Sequence, residues 1–436
     1  MPIINIKQFN INSLRKQFSF NKPFNQKFSF EILFTFLIIF GIPLNLYKNR
    51  FYDNSWTVGE WLISYAGGFV RRGLPGELIH FISTQYSLGP IFIVWFFSIV
   101  SLFALILLLL NFCKNLFEKS FLLSQLIILA PLSENYFVRK DAFLVLLYGL
   151  SLLIMKAHYH KSINKLIAVL SVNFISMVAI FSHESYGIWG LPSLLIIFSI
   201  FEKKGKKNIF QSFLCATLFL LPAILSFFLC WFFKGDTNQS LMIHQSWQSL
   251  AEIIPSVSGL YEKDPSGAIA AIGWGTSQVF TSSLISQFNL FIFWHPGMWL
   301  LTIFISIRLF IGKKKDLNQK LKRTIVCSQF VAFIPMFLFV DIGRWIFMWL
   351  TSSALLFSFL YQTFGFKKLS YFSSTLKGQQ ILTKTIPQFS SIRTYNYVLL
   401  FFGIPHCCWS LGRYLVSNPI GFGIKNIIFY TKFLFS

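Results

Sequence analysis

Charge is what this sequence has least of. Only 12% of its 436 residues are Asp, Glu, Lys or Arg, about half the share a soluble domain carries. That excludes an ordinary water-soluble fold. Acid is scarcer than base, with 15 Asp and Glu against 38 Lys and Arg. The basic excess does not read as a nucleic-acid surface, because the lysines sit in short loops between apolar runs. Cysteine is sparse too. Cys113, Cys215, Cys230, Cys327, Cys407 and Cys408 lie in or at the ends of apolar runs with no CxxC spacing, which reads as core packing, not a disulfide or metal framework. There is no HExxH, since His183–Glu184 leads through Tyr186 and Gly187 to no second histidine, and this argues against zinc. Asp-Asp and Asp-x-Asp pairs are missing. The centres of the apolar runs lack charge, which argues against the ion pathways of a coupled transporter. No small-residue cleavage site follows the first apolar run, so that run reads as a retained span.

What is present is apolar. The chain is 55% hydrophobic and 19% aromatic, with a mean hydropathy of +0.61. Its runs reach the roughly 18–20 residues that cross a bilayer. The expected fold is all-α: a polytopic membrane helix bundle of about eleven (ten to twelve) transmembrane helices, with interfacial helices in the first outer loop. Residues 1–28 read as a cytoplasmic basic arm, 29–412 as the transmembrane domain, and 413–436 as an interfacial tail. Spans are expected near 29–47, 88–112, 120–133, 142–156, 166–182, 187–201, 209–233, 289–310, 324–340, 346–363 and 396–412, with outer loops at 48–87 and 234–288.

With the N-terminus inside, about 26 of the 38 basic residues fall on the cytoplasmic side, as the positive-inside rule requires. Eleven of the 15 acids fall outside. The expected location is therefore a plasma (inner) membrane, crossed many times. Every mixed-charge motif then shares the outer face: Arg71–Arg72, Glu134 to Asp141, His183–Glu184 and Asp341 to Arg344. The inner loops are plain lysine runs, which need no function beyond anchoring to acidic lipid.

One stretch organises the rest, Ser64-Tyr-Ala-Gly-Gly-Phe-Val-Arg-Arg-Gly-Leu-Pro-Gly-Glu77. Pro75 opens a run with helical apolar spacing at Leu74, Leu78, Phe81 and Ile82. Arg71 and Arg72 are thus placed beside a helix N-terminus, among glycines whose backbone N–H groups can converge on an anion. Arginines on the outer side gain nothing from the positive-inside rule, so a phosphate or carboxylate partner outweighs a lipid anchor. Each motif also has a plain structural reading: a loop ion-pair network for Glu134–Asp141, a span-end hydrogen bond for His183–Glu184, an i,i+3 helix pair for Asp341–Arg344, and a loop cap for Asp53.

Sugar transfer from a polyprenyl phosphate or diphosphate needs arginines for the leaving phosphate, a carboxylate or histidine as base, and a groove for the lipid. The phosphate-binding candidates are Arg71, Arg72, Arg139, Lys140 and Arg344. The candidate bases are Asp53, first by position, then Glu134, Glu184 and His183. No metal ligand set is called for, although a divalent cation on the carboxylates is compatible. A long first outer loop, Asp53 soon after the first span, an acid–base second loop and a longer late loop together resemble the bacterial GT-C-like membrane glycosyltransferases and surface-polysaccharide polymerases. The resemblance implies a polyprenyl-linked sugar donor, a glycan acceptor, contact with membrane lipid and a role in cell-envelope glycan assembly. A lipid-linked oligosaccharide flippase or exporter is the alternative, and a non-catalytic component of a polysaccharide assembly complex is a third reading.

Overall fold

The computed structural model describes residues 55–114, 138–203, 208–250, 260–274 and 342–364, with a few isolated positions between and beyond them. Their regular structure is entirely helical, and no strand occurs among them. The helices are α1 (Gly73–Tyr86), α2 (Pro90–Phe112), α3 (Asp141–Tyr159), α4 (Lys165–Ser182), α5 (Ser185–Trp189), α6 (Leu191–Lys203), α7 (Ile209–Phe219), α8 (Leu221–Phe232), α9 (Thr237–Gln248), α10 (Gly267–Ala270) and α11 (Ile342–Phe364).

Three helices are long and apolar enough to cross a membrane, namely α2, α3 and α4. The pair α7–α8 passes the same test jointly but is bent by 67°. Their ends follow from local chemistry. Pro90 opens α2, where its missing N–H costs nothing. Asn164 caps α4 by accepting from the Ile167 N–H at 2.8 Å. Asp141 sits in the first turn of α3 and Lys156 in its last, both matched to the helix dipole.

Helices α2, α3 and α11 run the same way. At one end Arg344 of α11 meets Asp141 of α3. At the other, Lys156 donates to Gln362, and Gln362 donates to the Phe112 carbonyl. Helix α4 runs back antiparallel. Lys165 at its start pairs with Glu202 at the end of α6, and His183 at its finish joins the Arg344 end. So one end of the bundle carries lysines and the other carries mixed charges.

The expected span over 209–233 is not a straight helix. Pro222 has no N–H and disrupts the ladder at Leu220. In an unbroken helix the Ala223 N–H would reach the Phe219 carbonyl. Instead the Asn173 side chain of α4 sits between them. Its amide donates to Phe219 O at 2.6 Å, and its oxygen accepts from Ala223 N at 3.3 Å. A neighbouring helix thus satisfies the backbone groups that the bend frees, as an apolar surround demands. The expected span 187–201 is likewise divided, with α5 ending at Trp189 and α6 starting at Leu191.

The loop that precedes α1 is stitched down by two tryptophans. Trp61 Nε1 donates to Val138 O, and Trp247 Nε1 of α9 donates to Leu62 O. Segment 234–274, expected as loop, contributes helix α9 as a roof over this layer. Gln239 of α9 donates to Gly67 O, and Ala268 N donates to Ser55 O. The interior holds a Tyr148–Tyr186–Trp189 ring cluster, with Tyr148 hydrogen-bonded to Ser193 at 2.7 Å. The arm 1–28, the tail's fold and the spans expected over 29–47, 289–310, 324–340 and 396–412 lie outside the described residues.

Candidate functional site

Helix α1 begins immediately after Arg72, which serves as its N-cap in the left-handed region at φ 66°. That conformation costs a non-glycine residue roughly 1–2 kcal/mol, so it persists only where neighbours hold it. Three contacts do so. The Arg71 N–H donates to Phe233 O at 2.9 Å. The Lys140 ammonium donates to Arg72 O at 3.3 Å and to Ser182 O at 3.1 Å. The Arg72 guanidinium grips Glu184.

The glycines around the arginines serve close packing. A Cβ on Gly76 would meet Ile63 O at 2.0 Å, and one on Gly73 would meet the Tyr65 ring at 2.2 Å. A Cβ on Gly67 would meet the backbone of Gln239 at 2.9 Å. They let α1 and α9 lie against the loop, a different role from the expected convergence of their N–H groups on an anion.

Four segments far apart in the chain meet here. Arg72 Nε donates to Glu184 Oε2 at 2.8 Å, its Nη2 donates to Oε1, and Arg71 Nη1 reaches the same Oε1 at 3.3 Å. Arg344 makes a bidentate pair with Asp141, both bonds 2.7 Å, and its Nη2 lies 3.4 Å from Glu60. His183 Nε2 lies 3.3 Å from the same Glu60 oxygen, Oε1, that Arg344 approaches, while its Nδ1 accepts from the Ser185 N–H at 3.2 Å. That pairing sets the tautomer with the proton on Nε2 and leaves neither ring nitrogen free.

Electrostatics grade the members. Burial opposes ionisation of Glu60, but Arg344 and His183 outweigh it and hold the carboxyl well below the usual range. Glu184 behaves alike: burial raises it, and the guanidiniums of Arg72 and Arg71 bring it well below that range. Burial, reinforced by Arg72, keeps His183 below its ordinary value and hence neutral. Burial also pulls the Lys140 ammonium down to about 7, with Glu60 opposing. Arg139 is buried close enough to Glu60 to favour its ionised form.

The cluster has a closed side and an open side. Glu60, Lys140, Asp141 and Arg344 are buried. Arg71 and Arg72 keep 23% and 25% of their side chains exposed. Beside them Phe69 packs edge-on against Phe181 and Phe233, and stacks on Tyr65. Phe69 and Phe233 are themselves exposed. Two partly exposed guanidiniums therefore border an exposed aromatic rim. Among the described residues no group of three or more His, Cys, Asp and Glu could hold a metal ion. The carboxylates here face guanidiniums instead of one another.

The structure thus brings together Arg71, Arg72, Lys140, His183, Glu184, Arg344 and, beside Glu60, Arg139. Asp53, Glu134 and Asp341 lie outside the described residues. A family model described as uncharacterised membrane protein Rv1490 matches residues 30–248. The chain belongs to this family. The protein is accordingly a membrane protein, and the match spans every member of the cluster except Arg344. No curated protein and no solved structure matches the chain.

Glu60 is the member that sequence reasoning passed over as a site residue. It is the one acid within Trp56-Thr-Val-Gly-Glu-Trp-Leu-Ile-Ser-Tyr65. A lone carboxylate in so apolar a run, in the same loop as an arginine pair, was the available signal. Arg344 was expected as a phosphate-binding residue, with a helix pair to Asp341 as its plain structural reading; its fork reaches Asp141, 203 residues away.

Proposed function

We propose that this Rv1490-family protein is an integral-membrane glycosyltransferase or polysaccharide polymerase of cell-surface glycan assembly, using a polyprenyl-(di)phosphate-linked sugar at the outer face of the plasma membrane. The observation that carries the reading is the open edge of the cluster. There Arg71 and Arg72 present guanidinium forks beside an exposed aromatic rim, a pairing suited to a phosphate joined directly to an apolar chain. Helix α1 adds exposed Leu78 and Phe81 next to the same loop. The buried carboxylates Glu60 and Asp141 are committed to Arg344, so the base is Asp53, Glu134 or, once a ligand takes its arginine partners, Glu184, and the acceptor is a glycan hydroxyl. His183, with both ring nitrogens engaged, positions Glu60 instead.

One observation favours the exporter reading. The α7–α8 break lies inside the membrane domain, and broken helices recur where transporters bind and move cargo. A single assay separates the two. The protein in proteoliposomes is given a polyprenyl-diphosphate sugar with an acceptor glycan. A transferase releases polyprenyl diphosphate and extends the glycan, and Arg71→Lys and Arg72→Lys suppress that release. Sugar moved across the bilayer with its diphosphate bond intact supports the exporter and defeats the transferase.

A further inference from the structure

Arg71 and Arg72 offer two forks, and one carboxylate serves both. Glu184 Oε1 takes hydrogen bonds from Arg71 and Arg72, and Oε2 takes the Arg72 Nε–H. The Arg71 Nε–H is buried without a partner. Two positive charges thus meet one negative charge, and one donor of the pair is left over. Unlike Glu60 and Asp141, Glu184 sits at the edge of the cluster, with 12% of its side chain exposed alongside the two arginines. It follows His183 at the end of α4, and its backbone opens the short helix α5. Its side chain can therefore swing without unwinding a span. Two oxygens held in the fork of an arginine pair reproduce how guanidiniums bind a phosphate.

We propose that Glu184 is a built-in stand-in for the ligand, holding the arginine pair until a phosphate or diphosphate group displaces it. The inference rests on reading Arg71–Arg72 as the phosphate site. A phosphate brings more negative charge than a carboxylate and further oxygens, one of which can take the spare Arg71 Nε–H. The exchange makes and breaks no covalent bond. Once displaced, Glu184 loses the guanidiniums that kept its carboxyl ionised to low pH. Its basicity then rises toward that of an ordinary buried carboxylate. The proton acceptor is thereby switched on by arrival of the donor, which keeps water or a stray hydroxyl from being activated beforehand.

The test uses the full-length protein in lipid nanodiscs, with inorganic diphosphate and farnesyl diphosphate as probes by titration calorimetry. Removing a competing carboxylate should tighten binding, so Glu184→Gln is expected to bind the probes about tenfold more tightly than the unaltered protein, the size of one charge-assisted hydrogen bond. Glu184→Asp keeps the charge but shortens the arm, and is expected to tighten binding by a smaller factor. It decides the matter if Glu184→Gln fails to fold. A larger gain for farnesyl diphosphate assigns the site to a lipid phosphate, and an equal gain assigns it to a free one. Unchanged or weaker binding in the folded variants overturns the displacement and makes Glu184 a scaffold for the arginines. If Arg71→Ala with Arg72→Ala leaves the affinity of the unaltered protein intact, the phosphate-site reading itself fails, and the displacement falls with it.

Discussion

Arg344 is the residue whose loss the structure makes most costly. Its guanidinium gives two 2.7 Å bonds to Asp141 and lies 3.4 Å from Glu60, and all three side chains are buried. Arg344→Met keeps the bulk and removes the charge. Asp141 then loses its bidentate partner, and Glu60 keeps His183 as its nearest support. Removing one side of a buried ion pair costs about 3–5 kcal/mol, mostly the penalty of the charge left behind. The expectation is a destabilisation of that size, measured by steric trapping in bicelles. Adding Asp141→Asn removes much of the stranded charge, so the double variant should recover a substantial part of the loss. Arg344→Lys should fall between, because an ammonium cannot bridge two carboxylates with a planar fork. A loss under about 1 kcal/mol for Arg344→Met, the range of exposed pairs, would refute the view that this cluster is a buried electrostatic node.

Three further outcomes follow from the same geometry. Asn173→Leu strands Phe219 O and Ala223 N at the α7–α8 bend, so it should cost about 2–4 kcal/mol, one to two lost buried hydrogen bonds, by the same trapping assay; Asn173→Gln should rescue part of it. Glu60 and Glu184 have folded-state values well below the 4.5 of an unconstrained glutamate, so their contribution is fully present above about pH 5 and is lost as pH falls through the folded values. Thermal stability should therefore drop on acidification below pH 4.5, and Glu184→Gln should flatten that drop. Cysteines placed in 48–87 or 234–288 should react with an impermeant reagent from outside whole cells, while cysteines in the lysine run 313–323 should not; the opposite pattern would put the arginine pair on the cytoplasmic face.

How much of this was legible in the sequence depended on whether a feature is local. The expected spans 88–112, 142–156 and 166–182 match helices Pro90–Phe112, Asp141–Tyr159 and Lys165–Ser182 to within a few residues. Run length, Pro90 and the Asn164 cap are all read from neighbours in the chain. The helix after Arg72 was legible for the same reason, from Pro75 and the spacing behind it. The gathering of Arg71–Arg72, His183–Glu184 and Arg344 at one end was foreshadowed by charge sidedness, which places motifs on a face without pairing them. The pairings themselves were not legible. Arg344 with Asp141 spans 203 residues, and Asn173 with Ala223 spans 50; both depend on how helices pack. The expected span 209–233 ran straight through Pro222, and nothing nearby in the chain pointed to the Asn173 side chain that fills the break. The glycines of Ser64–Glu77 could not be apportioned from sequence, because an anion-binding nest and a close backbone contact ask for the same residue.

The most direct measurement of the central claim is binding of a polyprenyl diphosphate to the full-length protein in nanodiscs, compared across the unaltered chain, Arg71→Lys and Arg72→Lys. Lysine keeps the positive charge and discards the planar fork, so charge anchoring and bidentate phosphate recognition give different answers. The account predicts that each single substitution weakens binding by about tenfold or more, the worth of one charge-assisted hydrogen bond, with the protein still folded. Binding that is unchanged in both lysine variants would contradict it and leave the arginine pair an electrostatic brace for Glu184.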